Sequence, residues 1–148
     1  GATRGALLPL LAEQPAELVI VNRTVAKAQE SAALALQHHI GPVSVQGLGY
    51  GDLQGQAFDV VLNASSSSLT AELPPLHASV FAPDCLAYDL TYGKGLTPFL
   101  QLAQQSGVTQ LADGVGMLAE QAAEAFAWWR GVRPDTAAVI AQLTVPLV

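Results

Sequence analysis

The sequence predicts an α/β fold: a doubly wound parallel sheet in three layers, with helices on both faces. Three observations predict it. Short β-rich runs alternate with stretches of helical periodicity along the chain. Several of the runs are continuously apolar, as strands buried on both faces are. The connections are long enough to be crossovers, which are right-handed and make neighbouring strands parallel.

Taken in order, Leu7 to Leu11 is an apolar helical stretch that stops near Pro15. Leu18-Val19-Ile20-Val21 is a strand. Thr24 opens a helix in which Val25, Ala28, Ala32, Ala35 and Leu36 share one face at helical spacing, and Gly41-Pro42 ends it. Val43-Ser44-Val45 is the second strand, and Gly47 to Gly51 reads as a connecting loop. Phe58 to Leu62 and Leu86 to Asp89 are the third and fourth strands. Thr97 to Ser106 is a helix stopped by Gly107, and Val108 to Leu111 a short fifth strand. Asp113 to Arg130 is a long helix, and Pro134 to Leu143 the last. No internal repeat or long Pro/Gly-rich linker divides the chain, so residues 1–148 read as one domain.

Hydrophobic residues make up 51% of the 148 and charged residues 12%, which excludes a disordered chain. No apolar run reaches the roughly 18 residues of a membrane span, and no basic n-region with an apolar stretch opens the chain. The net charge of −6 argues against a nucleic-acid surface but leaves room for one small polyanion held by two or three cations. Cys85 is the single cysteine, so no internal disulfide forms; a free thiol fits a reducing cytoplasm.

Gly1-Ala2-Thr3-Arg4-Gly5 before a helix is similar to the tail of a dinucleotide-binding turn, where glycines let backbone N–H groups approach a pyrophosphate. It also fits a terminus of small residues. The strand that should precede such a turn does not stand in the sequence, so the expected sheet is Rossmann-like but lacks its first, central strand. Either that strand is supplied from elsewhere, or self-association covers the slot, or the sheet rearranges. After the strand ending at Val21 come Asn22-Arg23-Thr24, with Lys27 one turn on. In the dinucleotide fold this position meets the adenine ribose. A carboxylate there selects NAD and a cation admits the 2′-phosphate of NADP. Thr24 is placed to cap the helix or to donate to phosphate. Two solvated cations at a helix start are the plainer alternative.

Four segments then resemble, in order, the shikimate dehydrogenase family: Asn22-Arg23-Thr24; Asn63-Ala64-Ser65-Ser66; Tyr88-Asp89-Leu90-Thr91-Tyr92 with Thr97-Pro98-Phe99-Leu100; and Asp113-Gly114-Val115-Gly116-Met117-Leu118 with Gln121-Ala122-Ala123. The last two are specific, and the resemblance covers essentially the whole chain. It implies an NADP-binding Rossmann domain, truncated at its N-terminus, of an NADP-dependent enzyme. That enzyme reversibly reduces 3-dehydroshikimate to shikimate in aromatic amino acid biosynthesis. The family's catalytic Lys and Asp lie in an N-terminal domain with no counterpart here. The resemblance therefore implies no catalytic residue in this chain, which alone is expected to be inactive, with shikimate met through the absent domain.

By the same resemblance, Gly1, Ala2 and Arg4 lie near the cofactor phosphates, and Asn22, Arg23, Thr24 and Lys27 around the adenosine phosphate. Lys27 replaces a common Arg and loses its bidentate fork. Ala64, Ser65 and Ser66 line the nicotinamide ribose, with Ser65 in place of a commoner Thr. Leu90 gives an apolar wall where relatives carry Met, and Gly116 and Met117 approach the carboxamide. Tyr92 and Gln121 are assigned to substrate. Gln121 lies on a stripe with Met117 and Ala125 near Trp128, and a lone amide on an apolar face needs partners. A bond to neighbouring backbone is its plainer alternative, as a rim position is for Tyr92.

His38 and His39 point to different helix faces, His77 is isolated, and no spacing suggests a metal site. Trp128-Trp129 reads as core and helix-packing surface, Asp89 as a turn residue and Asp113 as an N-cap. Lys94 and Tyr92 are polar near the site, but the family places its acid elsewhere. Two rival readings stand beside the main one: a quinate/shikimate dehydrogenase of broader specificity, and a non-catalytic NADP-binding module.

Overall fold

The computed structural model describes residues 2–38, 41–65, 73–93 and 95–147. Of the residues singled out above, Gly1, His39, Ser66 and Lys94 lie outside these. The element order is α1 (Ala2–Ala12), β1 (Glu17–Val21), α2 (Val25–His38), β2 (Ser44–Leu48), β3 (Phe58–Asn63), β4 (Phe81–Asp89), α3 (Pro98–Gln105), β5 (Gln110–Ala112), α4 (Val115–Arg130) and α5 (Ala137–Leu143). Every strand pairing is parallel, as the alternation of elements requires. The ladders fall into two sheets, β1-β2 and β3-β4-β5. Among the described residues β1 and β3 share no ladder.

The chain forms two compact units, Gly1–Gln56 with Pro75–Val80, and Ala57–Pro74 with Phe81–Val148. In the first, α1 and α2 bury Leu7, Leu11, Ala28, Ala32 and Ala35 with Ile20 and Val43 from the strand side. The buried face of α2 is narrower than its periodicity suggests, since Val25 and Leu36 are exposed. Alanines let the helix lie close to the strands, and Gly47 lets it lie closer still. A Cβ there would fall on the backbone of Ala28 and Gln29, 2.6 Å from the Ala28 carbonyl oxygen and nearer to the adjoining atoms. Gly47 is therefore a strand residue held by packing, not part of the expected loop. The loop begins after Leu48 and tightens into a 3-10 turn over Tyr50–Leu53, where Asp52 Oδ2 accepts from Gly49 N at 2.9 Å.

In the second unit, Cys85 and Ala87 of β4, Phe99, Leu100 and Ala103 of α3, and Val115, Ala119 and Ala123 of α4 are buried. β4 starts earlier than its apolar run implies. Pro83 and Asp84, the latter at φ 63°, interrupt the run, and the β3–β4 register shifts between Phe58↔Phe81 and Val60↔Leu86. α1 and α4 also depart from expectation at their starts. Ala2, Thr3, Arg4 and Gly5 are already helical. The N-cap of α4 is Gly114, while Asp113 Oδ1 accepts from Val115 N at 3.1 Å. Trp128 and Trp129 are not core: they are 91% and 78% exposed.

Gly47→Ala should cost roughly 1–3 kcal/mol of unfolding free energy, because the helix must move off the strand. Gly51, with open space around its Cβ position, is the control: Gly51→Ala should lie within about 0.5 kcal/mol of the parent. Urea unfolding of the two variants measures the difference.

Candidate cofactor-binding site

The first unit carries the cation-bearing end. β1 stops at Val21, and Asn22 N donates to the Leu48 carbonyl at 3.2 Å, so the turn is held to the end of β2. Asn22 Oδ1 accepts from Thr24 N at 2.9 Å, an Asx-turn that aims the chain into α2. The Thr24 carbonyl then accepts from Lys27 N at 2.9 Å. Asn22 thus builds the turn that presents Arg23, Thr24 and Lys27, all exposed.

The first turn of α2 contains no acidic residue. A helix N-terminus carries partial positive charge, so a cation there is worth about 0.3–1 kcal/mol in the wrong direction. Arg23 just before the helix and Lys27 in its first turn add positive charge where the helix end is already positive. Tyr50 lies in the field of Arg23. Burial pushes its phenol above the usual value, and the nearby guanidinium draws it partly back. Arg4, in the first turn of α1, donates to Glu30 Oε1 at 2.7 Å. Both side chains are more than half exposed, so this pair is worth at most about 1 kcal/mol and yields readily to a phosphate.

The second unit carries the other group of predicted residues. Ala64 and Ser65 follow β3, Leu90 and Tyr92 follow β4, and Gly116, Met117 and Gln121 lie in the first turns of α4. Ser65 donates from both N (3.1 Å) and Oγ (2.7 Å) to Asn63 Oδ1. Leu90 is half-buried, and its backbone fixes α4. A Cβ on Gly114 would fall on the Leu90 carbonyl oxygen, 2.8 Å from its carbon and 3.2 Å from the Tyr92 ring. Gly114 N donates to the Thr91 carbonyl at 3.3 Å. Gly116 has open space where a side chain would be, so a ligand can approach the backbone there.

Tyr92, Met117 and Gln121 are exposed. Gln121 Nε2 donates to the Leu118 carbonyl at 3.2 Å, the backbone bond that stood as its plainer alternative. Being exposed, the amide is not the buried polar group that the apolar-face argument assumed.

Three residues acquire roles that periodicity and turn chemistry did not indicate. Asp89 is fully buried and accepts from Asn63, Thr91 and Thr97. The side chain of Asn63 joins it to Ser65. Tyr88 reaches the start of α4: burial raises its phenol above the usual value, the Asp113 carboxylate raises it further, and a hydrogen bond with the Met117 backbone opposes both. Among the described residues no group of His, Cys, Asp and Glu could hold a metal ion, and no helix is long and apolar enough to cross a membrane.

A profile of the shikimate 5′-dehydrogenase C-terminal domain matches residues 114–144. The shikimate dehydrogenase (NADP(+)) of Aromatoleum aromaticum is 54% identical over 143 residues, covering 97% of this chain and 51% of that protein. That of Nitrosospira multiformis is 54% identical over 143 residues, covering 97% and 50%. The crystal structure of an Ael1 enzyme from Pseudomonas putida superposes with a TM-score of 0.87 at 59% identity, covering all of this chain and 54% of the other. The chain spans about half the length of the curated relatives it matches.

The Tyr88 environment has a pH consequence. A phenol raised in the folded state stays neutral where the unfolded one, near 10.0, ionises. The associated stability is intact below pH 10 and is lost as pH climbs from there toward the folded value. Tyr88→Phe should therefore flatten the alkaline limb of a stability–pH curve while leaving its slope near neutrality unchanged, as read by thermal melts across that range.

Proposed function

We propose, from the premise that the chain belongs to the shikimate dehydrogenase family, that residues 1–148 are the NADP-binding domain of an NADP-dependent shikimate dehydrogenase. The whole enzyme would interconvert 3-dehydroshikimate and shikimate in aromatic amino acid biosynthesis, in the cytoplasm. When bound, the dinucleotide supplies or accepts the hydride. The residues of this chain bind and orient it. Arg23 and Lys27 receive the 2′-phosphate, with Asn22 and Thr24 shaping the turn. Ala2 and Arg4, at the start of α1, meet the pyrophosphate. Ala64 and Ser65 hold the nicotinamide ribose, Leu90 walls the ring, and Gly116 and Met117 admit the carboxamide. Tyr92 and Gln121 are offered to shikimate. For Gln121 this requires the amide to leave the Leu118 carbonyl, a modest exchange for an exposed hydrogen bond.

Proton transfer to and from the substrate oxygen needs a general acid and base. This chain is assigned neither, so alone it binds cofactor and turns over nothing. Among the described residues one edge of β1 and one edge of β3 pair with no strand, and each offers backbone donors and acceptors to a further strand or to a second copy of the chain.

The observation that carries this reading is the cation pair at the start of α2, placed after a β-strand where an acidic residue would select NAD. Titration of the chain with both dinucleotides tests it, with NADP expected to bind more tightly than NAD. A charged hydrogen bond is worth about 1.5–3 kcal/mol, so Arg23→Gln should weaken NADP binding by roughly 10- to 150-fold. NAD should change little. Lys27→Gln should do less, its ammonium lacking the planar fork. Equal affinity for NAD and NADP in the unmodified chain would defeat the assignment, and so would dehydrogenase turnover by the chain alone.

A further inference from the structure

The second unit contains a buried carboxylate to which the cofactor reading gives no task. Asp89 closes β4 with 0% exposure. Its Oδ1 accepts from Asn63 Nδ2 at 3.1 Å and from Thr91 N at 3.0 Å. Its Oδ2 accepts from Thr97 Oγ1 at 2.6 Å. Thr97 in turn caps α3 by accepting from Leu100 N at 3.3 Å. Three segments therefore meet at one acceptor: the end of β3, the turn after β4 and the start of α3.

Burying a carboxylate is costly, and a well-packed apolar residue would fill the space with less desolvation. The carboxylate supplies direction instead. It accepts only, so every group facing it must donate. Asn63 has to turn its NH2 toward Asp89, which leaves its Oδ1 for Ser65 N and Oγ. With an amide at position 89, one oxygen becomes an NH2. A donor then faces Asn63, Thr91 or Thr97. Asn63 gains reason to rotate, and its NH2 then meets the Ser65 N–H.

We propose that Asp89 is a positioning residue for the nicotinamide end. By fixing the amide orientation of Asn63 it holds Ser65 where the ribose is bound, and by holding Thr91 N it keeps Leu90 in place as the wall of the ring. The proposal rests on the cofactor reading above.

The test compares two ligands of the intact chain. Adenosine 2′,5′-bisphosphate probes only the Arg23 end. NADPH probes both ends, and the emission of its dihydronicotinamide reports the nicotinamide end directly. Asp89→Asn and Thr97→Val should weaken NADPH binding about 10-fold or more and diminish its emission enhancement, since small misplacements of oriented groups are costly. Both variants should bind the bisphosphate within about twofold of the parent. Thr97→Ser, which keeps the hydroxyl, should restore the emission signature. If Asp89→Asn does not fold, the Thr97 pair decides. The inference is overturned if the folded variants lose both ligands in parallel, or if only their melting temperature falls while the NADPH signal stays within twofold. Failure of the unmodified chain to bind NADPH would instead overturn the cofactor reading, and this inference with it.

Discussion

Parallel strand direction is the constraint on which the rest of the molecule depends. Within each sheet every strand points the same way, so strand ends lie side by side and successive loops leave from one edge. In the first unit Val21 is paired with Leu48, so the Asn22 turn and the Gly49 turn emerge together. In the second, Asn63 is paired with Asp89 and Tyr88 with Ala112, so the loops carrying Ser65, Leu90 and Gly114 depart at nearly one level. Residues far apart in sequence become neighbours for this reason alone. It is also why ligands of open α/β sheets gather at the carboxyl ends of strands. The Asn63–Asp89 hydrogen bond is a direct product of that register, each residue being the last of its strand.

Close approach is the second constraint, and two glycines meet it. Gly47 lets α2 lie against β2 beside a face of alanines, and Gly114 lets α4 start beneath the Leu90 carbonyl. In both places an added methyl would meet backbone, which cannot swing aside as a side chain can. Packing and site are thereby joined: the contact that seats α4 also fixes where Leu90, Tyr92 and Gly116 stand with respect to one another.

The strands and helices were legible because their signals are local. Leu18 to Val21 is continuously apolar, and Thr97-Pro98 caps and opens a helix within two residues. Failures came where a distant contact decides. Nothing near Gly47 in sequence shows that the backbone of Ala28 lies over it. Asp113 carries the side chain of an N-cap, yet the crowding at Leu90 puts glycine in that position. The continuation of β4 back to Phe81 is masked by Pro83 and Asp84, which break the register without ending the strand. Trp128 and Trp129 look like core by composition, but helical geometry turns both outward from a short, alanine-lined contact face. Most of the candidate site followed from motifs, and Arg23 also from its place after a strand. The role of Asp89 did not, because a hub of hydrogen bonds is a property of three segments at once.

Charge bears on the same point from the other side. The chain carries 12 acidic residues against 6 Lys and Arg, so at long range it repels an anion. That repulsion is spread over the surface and screened within about 8 Å at physiological ionic strength. The field at the start of α2 is concentrated: a guanidinium, an ammonium and the positive end of a 14-residue helix all fall in the segment from Arg23 to Lys27. Arg4 is paired with Glu30, and Arg133 with Glu120 and Glu124. On the proposed reading, this end of the helix favours a compact, multiply charged phosphate over a neutral ribose hydroxyl even in an acidic protein. Discrimination of that kind needs only short-range contacts, and the net charge bears on the rate of encounter more than on the choice.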